Sequence, residues 1–137
     1  MELAQEINAG MPAYVARRTQ DLLNERSRSV KGSTVLLLGV TYKADIADQR
    51  ESPAVHVAQA LAALGAKVAY HDPFVPTWQA GSAALECEPD LAAALADADV
   101  AILLQAHSSY DRDWLGRQPT SILDTRGVIT GPSVTRL

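Results

Sequence analysis

Four strand-like runs that alternate with helical segments constrain the fold of this chain more than any other feature. The first run, STVLLLG, is continuously apolar, as strands are when both faces of a parallel sheet are covered. Strand and helix in alternation, joined by right-handed crossovers, give an open parallel sheet with helices on both faces. The sequence therefore predicts a Rossmann-like α/β fold. Its runs are STVLLLG (33–39), AKVAYHD (66–72), DVAILLQA (99–106) and TSILDTRGVI (120–129).

The segment between the first two runs carries the clearest helix signals. Ser52 supplies a hydroxyl for an N-cap, and Pro53 suits the first position of a helix. The sequence AVHVAQALAAL continues the helix, and Gly65 is expected to end it as the C′ residue. Two later segments predict a short helix in EPDLAAALADA (88–98) and a helical turn or short helix in SSYDRDWLG (108–116).

The first 28 residues predict a helical region ahead of the α/β domain. Leu3, Ile7 and Met11 recur at four-residue spacing, which is typical of an amphipathic helix. The sequence AGMP is expected to break or kink this helix, because proline is poorly tolerated inside one. Such a helix needs a surface to cover, either on its own domain or as a linker or dimer helix. We therefore expect a helical linker or dimerisation region in residues 1–30 and the α/β domain in residues 31–137.

Composition and charge exclude several classes of function. The 137 residues are 47% apolar with a net charge of −4, which describes a globular protein without the broad basic face that nucleic acids require. The N-terminus carries acids where a signal peptide is positive, and polar residues interrupt the most apolar stretch, residues 53–71. A single cysteine excludes an intramolecular disulfide and fits a reducing compartment. We expect a cytoplasmic protein that binds neither nucleic acid nor a membrane.

Ligands of open α/β sheets bind outside the carboxyl ends of the strands. Three cations, Lys43, Arg50 and Arg126, fall in the loops at that edge. Lysine offers phosphate a point charge and arginine can hold two oxygens at once, so these cations predict phosphate binding. The alternative is that Lys43 is solvated and Arg50 pairs with Asp48 or Glu51. The loops at this edge are 39–52, 71–77, 105–110 and 124–127.

The remaining polar residues near this edge suggest structural roles. Asp72 ends the second strand, where dinucleotide folds keep an acid for a ribose hydroxyl, but Asp-Pro is common in turns and we favour the turn. His107 is expected to cap a helix or pack, and Asp124 to orient Arg126 or end the strand. Cys87 lies between two acids, which disfavour a thiolate nucleophile. With no metal-ligand spacing and no nucleophile-elbow or Walker A motif, the residues predict binding without a reaction centre.

One long motif identifies a family. GVTYKADIADQRESPA, residues 39–54, resembles the opening of the C-terminal UDP-binding domain of the UDP-glucose/GDP-mannose dehydrogenase family. AYHDPFVP is similar to the exit of that domain's second strand, and HSSYDRDWL and ILDTRG resemble two later signatures. The tyrosine–lysine form together with DPFVP looks like the UDP-N-acetylhexosamine branch of the family. These similarities cover residues 33 to 130. The residues that match the first motif in order are Gly39, Tyr42, Lys43, Asp48, Arg50, Ser52 and Pro53.

The resemblance implies an enzyme that uses NAD to oxidise the C6 alcohol of a UDP-sugar to a carboxylate, through a thioester on a cysteine. It places Tyr42 and Lys43 against the UDP group, and Arg126 reaches the same nucleotide from the exit of the last strand. It also implies that Arg50 lies towards NAD, which is held mainly by another domain. Residues 1–28 resemble the end of the family's central helical region, which links the two halves and builds a homodimer.

The departures from the family limit what this chain can do. The N-terminal NAD-binding domain with its G-x-G-x-x-G loop, the catalytic lysine and the nucleophilic cysteine are absent from these residues, and Cys87 does not match that cysteine. Gly127 stands where the family often has asparagine, and Ala106 where it often has aspartate. We expect a substrate-binding part that is not catalytically competent alone. The alternative is a stand-alone UDP-sugar-binding or assembly module without redox activity.

Overall fold

A computed structural model describes residues 2–48 and 52–137, with side chains described from Gly10 onward. The described part contains four helices and seven strands. They are α1 (Glu2–Glu25), β1 (Thr34–Leu38), α2 (Ala54–Ala63), β2 (Lys67–His71), β3 (Thr77–Ala80), β4 (Ala83–Glu86), α3 (Leu91–Asp97), β5 (Val100–Leu103), α4 (Arg112–Gly116), β6 (Ser121–Asp124) and β7 (Val134–Arg136).

The main sheet has five strands in the order β2-β1-β5-β6-β7, and every pair is parallel. β1 lies in the middle of the first three, with Leu37 opposite Tyr70 on one side and Ile102 on the other. β2 and β5 both follow β1 in sequence but lie on opposite sides of it, so the loops after β1 and β5 leave the same edge side by side. The predicted open parallel sheet is confirmed.

Helices cover both faces of this sheet, also as predicted. Successive residues of β1 point to opposite sides, because side chains alternate along a strand. Val35 and Leu37 pack in one core cluster with α1 and α2, whereas Leu36 and Leu38 pack in the other with α3 and α4. Both faces of β1 are therefore buried, which explains why its sequence is apolar without alternation.

The end of α2 follows the sequence signal, whereas its start differs by one residue. Pro53, and not Ser52, is the N-cap, because the Pro53 carbonyl already accepts the first helical hydrogen bond from the Val57 N–H, and it has no side-chain cap. The Ser52 hydroxyl still accepts a hydrogen bond from the Ala54 N–H at 3.2 Å. Gly65 takes a left-handed φ of 92°, and the Ala66 N–H donates to the Leu61 carbonyl at 3.1 Å. This is the Schellman arrangement that a C′ glycine permits.

Three features of the fold differ from the sequence prediction. α1 is a single helix with Pro12 inside it, so the expected break is wrong. Its side chains Val15 and Leu23 are buried in the core shared with α2, and this packing outweighs the local cost of proline. The β3–β4 hairpin and β7 were not predicted. The hairpin is alanine-rich and has little β propensity, but Trp78 packs edge-on against Tyr70 at 5.3 Å and holds it to the core.

Within the described residues, no helix combines the length and apolar character that crossing a bilayer requires.

Candidate functional site

The loops that leave the carboxyl ends of β1 and β5 touch each other. The side-chain amide of Gln105 donates to the Tyr42 carbonyl at 2.7 Å. Gly39 allows this approach, because a Cβ built on it would lie 2.7 Å from both the Cβ and the carbonyl oxygen of Gln105. Its φ of 80° is also unfavourable for any residue with a side chain. The glycine that follows β1 thus allows a tight exit from the strand.

A cleft of about 760 Å³ opens beside these loops. Its walls are apolar side chains from the middle of α1 and the first half of α2, including Val15 and Val57. Tyr42 and Arg126 line it, at the exits of β1 and β6. A concave, mostly apolar cleft with a few polar groups is the usual form of a small-molecule site.

The structure brings together three of the four residues that the sequence nominated. Tyr42 is 46% exposed, and the Lys43 ammonium lies 5.9 Å from the centre of its ring. Arg126 is exposed on the same cleft as Tyr42. Arg50, nominated for the cofactor, lies outside the described residues, and so does its suggested pairing with Asp48 or Glu51. The roles of all four residues in binding stay predictions.

Asp124 shapes the loop that presents Arg126. Its buried carboxylate accepts hydrogen bonds from four consecutive backbone N–H groups, those of residues 126–129, at 2.7–2.9 Å. The acid therefore organises the strand exit through the backbone. This combines the two roles proposed from the sequence, since Asp124 ends the strand and fixes the backbone from which the Arg126 side chain extends.

Asp72 joins three of the loops at this edge. It is 1% exposed, and its carboxylate accepts from the N–H groups of Val40 and Phe74 at 2.8 Å and contacts Nε2 of His107 at 2.9 Å. Burial raises its pKa, but these three hydrogen bonds outweigh burial and leave the pKa below its usual value. The bond to Phe74 is the Asx turn expected of Asp-Pro. The contacts with Val40 and His107 were not foreseen.

His107 is fully buried and uses both ring nitrogens. Nδ1 accepts from the Asp45 N–H at 2.8 Å, and Nε2 faces Asp72. The ring also packs edge-on against Phe74 at 4.9 Å. The expected packing role is confirmed, whereas capping of a helix is not observed. The hydrogen bond at Nδ1 connects the ring to the loop that carries Tyr42 and Lys43.

Asp45 is a site residue that the sequence reasoning missed. Its carboxylate accepts from the backbone N–H of Ser108 at 2.7 Å and from the Ser108 hydroxyl at 3.0 Å. The Ser108 backbone hydrogen bond is the main reason why the pKa of Asp45 is lowered, and the carboxylate stays exposed. Aspartate is one of the few residues that tolerate the φ of 63° that Asp45 adopts, but the sequence alone does not reveal this conformation.

Cys87 is half-buried and is not placed to act as a nucleophile in the cleft. Its sulfur accepts from the Asp72 N–H at 3.4 Å, beneath the edge of the sheet. Among the residues that the structure describes, no group of three or more His, Cys, Asp or Glu side chains could hold a metal ion.

Together, an open parallel sheet covered on both faces and a cleft at the carboxyl ends of its strands define a Rossmann-like ligand-binding domain. Residues 36–131 match the model of the UDP-glucose/GDP-mannose dehydrogenase family, UDP binding domain. The chain belongs to this family, and it contains that domain.

Named relatives agree with this assignment. The chain is similar to the NDP-N-acetyl-D-galactosaminuronic acid dehydrogenase of Ralstonia nicotianae, with 33% identity over 91% of this chain and 29% of the relative. It also resembles the UDP-glucose 6-dehydrogenase of Rhizobium meliloti, with 36% identity over 59% of this chain and 19% of the relative.

Solved structures show the same similarity. The NDP-N-acetyl-D-galactosaminuronic acid dehydrogenase of Methanosarcina mazei Go1 superposes with a TM-score of 0.80 at 27% identity, over 98% of this chain and 30% of that one. The UDP-N-acetyl-mannosamine dehydrogenase of S. aureus gives 0.74 at 30% identity, over 96% of this chain and 30% of that one. The chain thus spans less than a third of the length of these relatives.

Proposed function

We propose that this chain is the UDP-sugar-binding part of an NAD-dependent nucleotide-sugar 6-dehydrogenase. The complete enzyme would oxidise the C6 alcohol of the sugar to a carboxylate, and this part would not be catalytically competent alone. The observation that carries the proposal is that Tyr42 and Arg126, on loops far apart in sequence, line one cleft at the ligand edge of the sheet. The relatives are named as dehydrogenases of UDP-N-acetylhexosamines and UDP-glucose, which supports this substrate class.

Each residue has a role suited to its chemistry. The exposed ring of Tyr42 offers a face on which the uracil can stack, while Lys43 and Arg126 are cations for the diphosphate. A charge-assisted hydrogen bond contributes roughly 1.5–3 kcal/mol. Association costs at least about 4 kcal/mol, so the isolated chain would bind UDP weakly, with a Kd roughly in the high micromolar to millimolar range.

The described residues do not fit an NAD site of their own. A dinucleotide fold uses a glycine-rich loop for the pyrophosphate and an acid after the second strand for the ribose. Here no G-x-G-x-x-G sequence is present, and the acid at that position, Asp72, is buried with its oxygens engaged by protein donors. NAD would therefore be held mainly by a domain outside these residues, with Arg50 approaching it from this side.

The same proposal divides the chain into two parts. Residues 1–30 would be the end of a central helical region that carries a homodimer interface, and residues 31–137 would be the UDP-sugar-binding domain. Binding energy from the UDP group, which does not react, would position the sugar C6 in the partner NAD-binding domain. This division of labour is supported by the fact that the relatives are more than three times as long as the chain.

A titration of UDP into the 137-residue chain, followed by backbone amide shifts, tests the proposal. We expect shifts confined to residues 39–52 and the neighbourhood of Arg126, and weaker ones with ADP. Equal affinity for UDP and ADP would contradict uridine recognition. A Kd below about 1 µM would show that contacts beyond these cations dominate.

A further inference from the structure

The imidazole of His107 connects the buried part of the site to the loop that carries Tyr42 and Lys43. Its side chain has no exposed surface, so it does not touch a ligand itself. Nε2 lies 2.9 Å from the Asp72 carboxylate, and Nδ1 lies 2.8 Å from the backbone nitrogen of Asp45. The ring is therefore a rigid spacer between a fixed acid and a loop backbone.

The donors and acceptors around the ring select one tautomer. A backbone N–H can only donate, so Nδ1 must keep its lone pair and the ring proton must be on Nε2. An ionised carboxylate can only accept, and Asp72 is the partner of Nε2. A carboxylate that holds one ring nitrogen commonly fixes the proton of a histidine in this way. In the other tautomer, an N–H at Nδ1 would face the Asp45 N–H, and that contact would be lost.

The loop needs such a tether, because Asp45 adopts a left-handed φ of 63°. This conformation is unfavourable for most residues with a Cβ, and aspartate tolerates it best when its polar groups are hydrogen-bonded locally. In this conformation the backbone N–H of Asp45 points to the His107 ring, and the Asp45 carboxylate contacts Ser108. The turn is closed by the bond from the Tyr42 N–H to the Asp48 carbonyl at 2.8 Å. Tyr42 and Lys43 thus lie inside a turn whose conformation depends on Asp45.

We propose that His107 is a positioning residue for nucleotide-sugar binding. Asp72 holds its Nε2 proton, Nδ1 holds the Asp45 N–H, and the turn thereby keeps Tyr42 and Lys43 in place for the ligand. This inference rests on the proposed function of the cleft. The ring tautomer and the order of the loop, however, can be measured without any ligand.

The first test is made on the ligand-free wild-type chain. Two-bond 15N–1H correlation spectra of the histidine rings should show His107 as the neutral Nε2–H tautomer, and the Asp45 amide should be protected from hydrogen exchange. A His107 ring protonated on Nδ1, or an Asp45 amide that exchanges as fast as an exposed loop amide, would overturn the inference. These readings do not depend on any variant being folded.

The second test uses His107→Gln. The glutamine amide can still donate to Asp72, but it offers no acceptor at the position of Nδ1. We expect the core amide shifts to be retained, residues 41–48 to shift and exchange faster, and UDP affinity to fall about three- to tenfold, as loss of one hydrogen bond implies. Ser109→Ala is the control. It changes an exposed residue of the same loop and leaves the contacts of Asp45 with the ring and with Ser108 in place, so UDP affinity should stay within about twofold.

The two proposals fail in different ways. Absence of UDP binding by the wild-type chain at several millimolar would count against the proposed function. A His107→Gln variant that is folded, with unchanged amides in residues 41–48 and wild-type UDP affinity, would overturn the positioning role while leaving the proposed function intact.

Discussion

The carboxylate of Asp124 accepts a hydrogen bond from the backbone N–H of Arg126 at 2.9 Å. The loop that presents the Arg126 side chain to the cleft is therefore folded around an acid that β6 supplies. Because Asp124 is 1% exposed and the guanidinium extends into solvent, the acid fixes the arginine backbone without neutralising its charge. The cation remains available to an anionic ligand.

Replacing Asp124 by alanine should lower the free energy of unfolding by about 2–4 kcal/mol, because it leaves four backbone donors without an acceptor. Urea unfolding measures the loss. Asp97→Ala is the matched control, since Asp97 is an exposed residue at the end of α3 and its loss should change stability by less than about 0.5 kcal/mol. Equal effects of the two substitutions would contradict the role given to Asp124.

Lys43→Ala and Arg126→Ala should each weaken UDP binding by about tenfold or more, since each removes a charge-assisted contact with the diphosphate. The amide titration of the proposed function provides the measurement. Lys67→Ala removes the same charge at the first residue of β2, on the opposite edge of the sheet, and should leave UDP affinity unchanged. An equal loss for Lys67→Ala would show that net charge, and not the cleft, attracts the nucleotide.

Gly39→Ala should cost about 2–5 kcal/mol of stability, because a Cβ there combines a left-handed φ with a clash against Gln105. Gly127→Ala separates the two causes. Gly127 has a similar φ of 70° but no atom within 4 Å of a Cβ, so its cost should be only about 1–2 kcal/mol. Thermal or urea unfolding of both variants measures the two losses of stability. Similar losses would show that Gln105 yields to the added methyl group.

The fold was accessible from sequence because its signals are local and periodic. The apolar run of β1 and the glycine at position 65 each determine nearby backbone, and both agree with the structure. Packing between distant segments was harder to predict from the sequence. Trp78 holds an alanine-rich hairpin against Tyr70, and the burial of Leu23 accompanies a helix that continues through proline.

The sequence also showed the residues that indicate the site, as individual cations and aromatic side chains. It did not show the hydrogen bonds that support these residues, because those bonds join positions that come together only through the order of the strands in the sheet. Asp72 and His107 are 35 residues apart, and they meet because β1 lies between β2 and β5 and its exit loop joins theirs. A sequence pattern shows that each follows a strand, but it does not show that one carboxylate receives donors from all three loops.

Stability should depend on the ionisation of Asp72. Its pKa in the folded chain lies below the ordinary value of 3.8, so folding favours the carboxylate. The stabilisation is present above the unfolded pKa and is lost as the pH falls below about 5 and through the folded pKa. Asp72→Asn should be less stable near neutral pH and should lose less stability over that range. If the unfolding free energies of the wild type and of Asp72→Asn fall in parallel as the pH is lowered, other acids are responsible for the loss of stability at low pH.

The place of α1 in this domain can be tested by a pair of leucines. Leu23 lies on α1 and is 1% exposed in the core that α1 shares with α2, whereas Leu64, just after α2, is 41% exposed. If α1 is part of the folding unit, Leu23→Ala should cost about 2–4 kcal/mol in a single unfolding transition, and Leu64→Ala less than about 0.5 kcal/mol. If α1 instead belongs to a separate helical region that only borders the domain, Leu23→Ala should leave the main transition unchanged. The result matters for the proposed division of the chain, because a helix that contributes both to this core and to a dimer would couple ligand binding in the cleft to the neighbouring subunit.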